Sequence, residues 1–401
     1  MLSVEQARSQ ILAPLSATGP QIVALAEAWN RVLAQPVIAR LTQPPADVSA
    51  MDGYALRATD GTLGAHLRII GQAPAGHPFV GNIGQGEAVR VFTGSIMPAG
   101  SDAVLLQEDA TERADQVTIH ETPIAGRHIR RAGQDFSQGD TLIAAGRRLT
   151  ARDIGLAAAA NYPWLTVHRR PRIAILATGD EISLPGEQIA PGGIVSSNAH
   201  ALAAFIRAVG GEPHILPIAA DNLAAIAAGA DAARHADMLV TTGGASVGAF
   251  DLVQAGLGER GFAIDFWKIA MRPGKPLMFG ALGQLPVLGL PGNPVSALVC
   301  AILFLGPAIA KLSGLPGHPP TTEAARLNIG VPANDQRSDH LRAILTTGAD
   351  GSFTVGPFTT QDSGMLNRFA NADALVLRAP HAPAASPGDL VQIIRLAPLG
   401  I

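Results

Sequence analysis

RIAILATGDE, residues 172–181, is an apolar run that stops at a glycine beside two acidic residues. Ile173 to Ala177 are apolar without alternation, which suits a strand buried on both faces, as strands of parallel sheets are. Outward from this strand the pattern alternates. Helices are predicted over Asn198 to Val209 and Asn222 to Arg234, and strands over His214 to Ile218 and Met238 to Thr242. A short helix begins near Asp251. Strands follow near Ala263 to Ile269, Pro276 to Phe279 and Pro286 to Leu290, and a helix over Pro294 to Leu312 closes the unit. Such alternation predicts a doubly wound, mostly parallel α/β domain covered by helices.

The flanking segments read differently. Residues 1–40 read as helical, with Val4, Ile11, Leu12 and Leu15, then Ile22, Val23 and Leu25, at helical spacing and Ser3 as a cap. Residues 41–140 are punctuated by Pro and Gly and carry short β-rich runs at His66 to Ile70, Ala88 to Phe92, Ala103 to Gln107 and Gln116 to His120. Helix returns at 150–160, with Thr150 and Asp153 placed as a capping box. The β module is thus expected as an insertion in a helical stalk. SGLPGHPPTT (313–322) reads as a linker. Beyond it, alternating runs at Ala324 to Ile329, His340 to Leu345, Phe353 to Gly356, Ala374 to Arg378 and Leu390 to Arg395 predict a small β-barrel or sandwich without a strong helix.

Composition bounds the function. With 401 residues, 47% hydrophobic but only 4% aromatic, the chain has material for several aliphatic cores. A net charge of −3 offers no electrostatic case for nucleic acid or an anionic membrane. The one cysteine, Cys300, excludes an internal disulfide and reads as core packing. The N-terminus lacks the basic start and apolar core of a signal peptide, and the apolar run near Val295 to Ile309 reads as too short to span a bilayer. A cytoplasmic location is the expectation.

Ligands of open α/β sheets bind beyond the carboxyl ends of the strands. There this chain places Thr178-Gly179-Asp180-Glu181, then Asp221, then Gly243-Gly244-Ala245-Ser246-Val247-Gly248 with Asp251, and finally Pro291-Gly292-Asn293-Pro294. The glycine-rich loop suits close backbone approach to an anion, or equally a tight turn capped by Ser246. Asn293 before Pro294 is also what a plain helix start requires. Glu181, Asp221 and Asp251 are expected to converge on one sheet edge. Three carboxylates beside a phosphate cradle suggest Mg²⁺, whereas each alone is explained as a helix cap. Lys268, Arg272 and Lys275 place three cations within eight residues of a charge-poor chain. Arg272 and Lys275 flank a Pro-Gly turn, a disposition suited to one oxyanion or to a solvated hairpin tip. An anionic, phosphate-bearing small molecule is the ligand class this points to.

Nine motifs together resemble one family: SAMDGYA (49–55), FTGSIMPAGSDAV (92–104), RRAGQDF (130–136), ATGDEI (177–182), SN (197–198), TTGGASVGAFD (241–251), FWKIAMRPGKP (266–276), GLPGNPVS (289–296) and SGML (363–366). The family is the molybdopterin molybdenumtransferases of molybdenum-cofactor synthesis, whose animal relative is the C-terminal part of gephyrin. The resemblance implies an elongated domain (1–46 and 140–170) with an inserted β-rich domain (47–139). It further implies an α/β molybdopterin-binding domain (171–318) and a C-terminal β-barrel (319–401). The implied reaction converts molybdate and adenylylated molybdopterin to molybdenum cofactor, AMP and water with Mg²⁺. The implied assembly is a homodimer whose cleft lies between the α/β domain of one subunit and the β insertion of the other. Other cofactor-synthesis or insertion proteins are implied as partners.

Carried over by position, the resemblance gives roles to Asp52, Thr93 and Asp135, which residue patterns alone do not single out, and to Glu181, Asp221 and Asp251 in the cleft. Ser197 and Asn198 fall in a substrate-binding motif. Arg272, Lys275, Pro276 and Ser296 match an oxyanion pocket that Arg342 and Ser363 complete, and the family pattern favours Lys where this chain has Arg272. The acidic residues are equal candidates for the general base. The alternative function is a molybdopterin- or nucleotide-binding module, or a scaffold, without transferase activity.

Overall fold

A computed structural model describes residues 1–243, 247–348 and 352–401. The central sheet has six strands in the order Glu212–Ile215, Arg172–Ala177, Met238–Thr242, Leu285–Leu290, Met278–Leu282, Phe262–Trp267. The first four run parallel, and Met278–Leu282 alone is reversed, antiparallel to both its neighbours. Along Arg172–Ala177, Ile173 and Ile175 face one core while Ala174 and Leu176 face another. That period of two on a strand buried throughout is what two-sided helix cover requires. Asn198–Ala208 and the long helix pack on the first face, Leu223–Ala232 and Val247–Gly258 on the second.

The long helix runs over Pro294–Leu312 with a π segment at Ala301–Leu305. Pro307 has no N–H to donate, and widening the turn just before it accommodates the missing bond. By length and hydropathy this helix is able to cross a membrane, contrary to the sequence expectation that the run is too short. Here it is a core helix, with 83% of its most apolar window buried.

The N-terminus corrects the sequence reading. Val4–Leu12 is the one α-helix of residues 1–40, started by a reciprocal Ser3–Gln6 capping box and inserted through Val4, Ala7 and Ile11 into the core around the long helix. Residues 20–24 form a strand antiparallel to Trp164–His168, with Val23 buried and Ile22 70% exposed. Two adjacent β-branched residues suit opposite faces of a strand, and the pairing with residues distant in sequence overrides the weak helical spacing. The capping box at Thr150 is present, Asp153 accepting from the Thr150 backbone and hydroxyl. Its helix, Ala151–Ala159, packs on Thr141–Ile143 and on the short 3-10 helix Leu25–Glu27 of the N-terminal segment.

The inserted module is a six-stranded sheet: Ala103–Leu106, Gly53–Leu56, Glu87–Val91, His66–Ala73, Gln116–Ile119, Ala110–Arg113. Gly53–Leu56 sits inside this sheet, so the Asp52-Gly53 pair opens a strand instead of making a turn. A Cβ at position 53 would overlap the Leu105 carbonyl oxygen, which explains the glycine. The C-terminal strands Ser338–Thr347, Phe353–Pro357, Glu323–Leu327, Leu390–Arg395 and Ala374–Arg378 pair in a closed ring. The ring is a barrel, and a short helix, Leu366–Ala370, accompanies it. The two-residue strand Met271–Arg272 leaves the α/β domain to add to Ser338–Thr347, setting Arg272 opposite Asp339.

Candidate functional site

A cleft of about 860 Å³ opens at the carboxyl ends of the parallel strands, and the barrel supplies its far wall through Arg337 and residues 361–364. The first strand delivers Glu181 to this cleft. Gly179 has φ +146°, and a side chain there would meet the Glu181 carboxylate at 2.5 Å, so the glycine leaves room for the acid. Asp180 is used otherwise: its Oδ1 accepts the Asp221 N–H at 2.9 Å and joins two loops. Asp221 and Asp180 lie beside the cleft, not in its lining. Asp221 does not cap the following helix either, because Asn222 Oδ1 does so through the Ala225 N–H. Thr178 is buried, its hydroxyl without a hydrogen-bond partner among the described residues, next to Gly243. Gly243 lines the cleft. Gly244 and Ser246 lie outside the described residues, and Gly248 and Asp251 are described only as backbone of Val247–Gly258.

Two asparagines hold the opposite rim. Ser197 and Asn198 line the cleft, and Asn198 Nδ2 donates to Thr242 Oγ1 (2.9 Å) and to the Gly292 carbonyl (2.7 Å). Asn293 occupies the N-cap position before Pro294 without capping. Instead its Nδ2 donates to Ser363 Oγ at 2.8 Å, while Val295 N–H donates to the Ser363 carbonyl. Pro291, Gly292, Asn293, Pro294 and the buried Ser296 thereby form a wall tied to the barrel. Arg342 stands behind that wall, 2% exposed, donating to the Asp362 carbonyl, and it does not line the cleft. Its burial holds the guanidinium below its ordinary value.

The cationic turn is divided. Arg272, Lys275 and Pro276 line the cleft. Lys268 does not: its backbone takes φ +69°, and its Nζ sits 3.4 Å over the Trp267 ring. Lys268, close to the other two cations in sequence, thus stands apart from them in the structure. Arg272 pairs with Asp339, and with Asp335 at 3.5 Å. Beneath the turn, Gly274 takes φ +108°, and a Cβ there would stand 2.5 Å from the Cys300 sulfur. Burial pushes the Cys300 thiol up, so it remains an apolar filler.

Asp52 and Thr93 come together in the inserted module, away from this cleft. The Thr93 N–H and hydroxyl donate to Asp52 Oδ1 at 2.7 and 2.9 Å, and these bonds hold the carboxyl below the usual range. Asp135 is exposed on the same module, its backbone N–H bonded to Gln43. Among the described residues no three His, Cys, Asp or Glu side chains form a metal cluster.

Three family models match in succession: the MoeA N-terminal region, domains I and II, at residues 2–161; a probable molybdopterin binding domain at 174–311; and the MoeA C-terminal region, domain IV, at 324–396. The molybdopterin molybdenumtransferase of Haemophilus influenzae is 34% identical over 98% of each chain. That of a Nostoc species is 35% identical over 94% of this chain and 88% of its own. The chain belongs to the molybdopterin molybdenumtransferase family. A molybdopterin biosynthesis MoeA protein of Pyrococcus horikosii shares the fold with TM-score 0.85 and 28% identity, covering 98% of this chain and 99% of that one.

As a molybdopterin molybdenumtransferase the chain is a transferase of molybdenum-cofactor biosynthesis, with molybdopterin and molybdate as its substrate class. The sequence reading passed over Arg337, Gln361, Asp362 and Asp339. Their signal was present: Asp335, Arg337 and Asp339 alternate, which in an extended segment puts three charges on one face.

Proposed function

We propose that the cleft binds adenylylated molybdopterin and molybdate together and releases AMP as the molybdenum cofactor forms. One observation carries the reading: the Arg272–Pro276 turn, Ser296 and Glu181 line a single cleft at the sheet's carboxyl edge. Lys275 favours an oxyanion there, and the walls of Ser197, Asn198 and Asn293 orient a polar ligand beside it. Glu181, Asp221 and Asp251 are the residues we assign to Mg²⁺. All are hard oxygen donors, and Mg²⁺ needs only one or two carboxylates beside substrate phosphates, which suits a wall where Glu181 alone of the described acids among them faces the cleft. Bound there, the ion would neutralise pyrophosphate charge. Molybdate-dependent AMP release from adenylylated molybdopterin tests the function. Tight pterin binding with no AMP release under any molybdate concentration would favour a binding module or scaffold instead.

We further propose that the working unit is a homodimer in the cytoplasm and that Asp52, Thr93 and Asp135 reach the cleft of the partner. Their separation from the cleft of their own chain supports a shared site. Mixing Asp52→Asn and Lys275→Gln chains tests it, since a heterodimer holds one site with both residues intact. Random exchange then restores about a quarter of full activity, and no restoration on exchange rejects the shared cleft.

A further inference from the structure

The barrel segment that enters Ser338–Thr347 lies alongside the cationic turn because Arg272 is paired in register with Asp339. It carries charges of alternating sign. Asp339 has its side chain 5% exposed and holds Arg272, while Asp335 meets Arg272 at 3.5 Å and Arg337 at 2.7 Å. Asp335 Oδ1 also accepts the Arg337 backbone N–H at 2.8 Å. Arg272, Lys275 and Arg337 all line the cleft.

The three cations are not equivalent. Both terminal nitrogens of Arg272 face carboxylates, so most of its charge is already answered. A guanidinium has five N–H groups, and Asp335 engages Arg337 only through Nε and Nη2. Nη1 of Arg337 is outside the Asp335 pair, on a side chain that is 28% exposed and lines the cleft. Lys275 has no ion-pair partner among the described residues.

We propose that Arg337 is an oxyanion-binding residue of this cleft, acting with Lys275, while Arg272 is chiefly the lock that joins the turn to the barrel. A dianionic oxyanion then meets two cations from opposite walls, one a point charge and one a planar fork. The wall bearing Arg337 belongs to the C-terminal barrel, which gives that domain a direct hand in oxyanion affinity.

The proposal rests on the transferase reading, and the test separates the two. AMP release is measured against molybdate concentration in the full-length wild type, Arg337→Gln and Arg337→Lys, and binding of inorganic molybdate to each is measured by equilibrium dialysis. Loss of one charge-assisted contact predicts about a tenfold or greater rise in half-saturating molybdate for Arg337→Gln. Arg337→Lys recovers part of this, and affinity for adenylylated molybdopterin without molybdate is unchanged. If Arg337→Gln fails to fold, Arg337→Lys decides, with a rise of about threefold expected from losing the fork. Unchanged molybdate affinity in the folded variants overturns the proposal. A wild type that binds molybdate through Arg337 but releases no AMP overturns the transferase reading and leaves this one standing.

Discussion

His340 gives the barrel a pH dependence that is traceable to one ring. It is 2% exposed, on the strand that pairs with Met271–Arg272, and its Nδ1 has no hydrogen-bond partner. Burial pushes its pKa from 6.5 down to about 4, against the opposing pull of the Arg272 backbone bond and the Glu5 charge. A depressed histidine favours the neutral form in the folded state, so its contribution is full above pH 6.5 and is lost as the pH falls towards 4. With those two values, linkage gives a loss of about 2 kcal/mol by pH 5 and about 3 kcal/mol by pH 4. His340→Leu removes the titrating ring and its bond to the Arg272 backbone, a pH-independent cost of about 1 kcal/mol. Amide exchange of Ser338–Thr347 at pH 7.5 and 5.0, in the wild type and the variant, reads this directly. The opening free energy of the wild type should fall by about 2 kcal/mol more than that of the variant. Equal falls in the two proteins would refute the argument, since burial of His340 would then carry no protonation cost.

Other outcomes follow from the cleft. Lys268→Ala leaves half-saturating molybdate within about twofold of wild type, because its ammonium lies over Trp267 and not in the cleft; a tenfold rise would make Lys268 an oxyanion ligand. Gly274→Ala lowers stability by about 1 kcal/mol or more and raises half-saturating molybdate, with partial recovery when Cys300 is also made Ala, since the added Cβ meets the Cys300 sulfur. Asn293→Ala cuts the tie to Ser363 and lowers molybdate-dependent AMP release while urea unfolding shifts by about 1 kcal/mol. Arg342→Met strips the loop at residues 361–364 of its rear support, so faster proteolysis at that loop should accompany weaker molybdate binding.

What the sequence made legible, and what it did not, divides by the range of the interactions. Met238–Thr242, Ala374–Arg378 and Leu390–Arg395 begin and end where local pattern puts them, because apolar runs bounded by turn residues encode a strand within one window. The Thr150–Asp153 box is likewise a three-residue affair. Ile22 and Val23 misled because helical spacing and strand alternation both fit so short a stretch, and only Trp164–His168, far along the chain, decides between them. The cleft repeats the lesson. Strand ends were enough to point to Glu181 and the Pro291–Pro294 wall, since the sheet's topology fixes where they gather, whereas Asn198 was marked only by the family resemblance. Charge spacing alone did not separate Lys268 from Lys275. That separation depends on a positive φ and a tryptophan ring, neither of which has a one-dimensional signature. Arg272 shows why a position can match while its role differs: a lysine there would offer one ammonium to both Asp339 and the substrate. A guanidinium instead commits its two ends to Asp339 and Asp335, and on the proposal above the second cation beside Lys275 comes from Arg337 of the barrel.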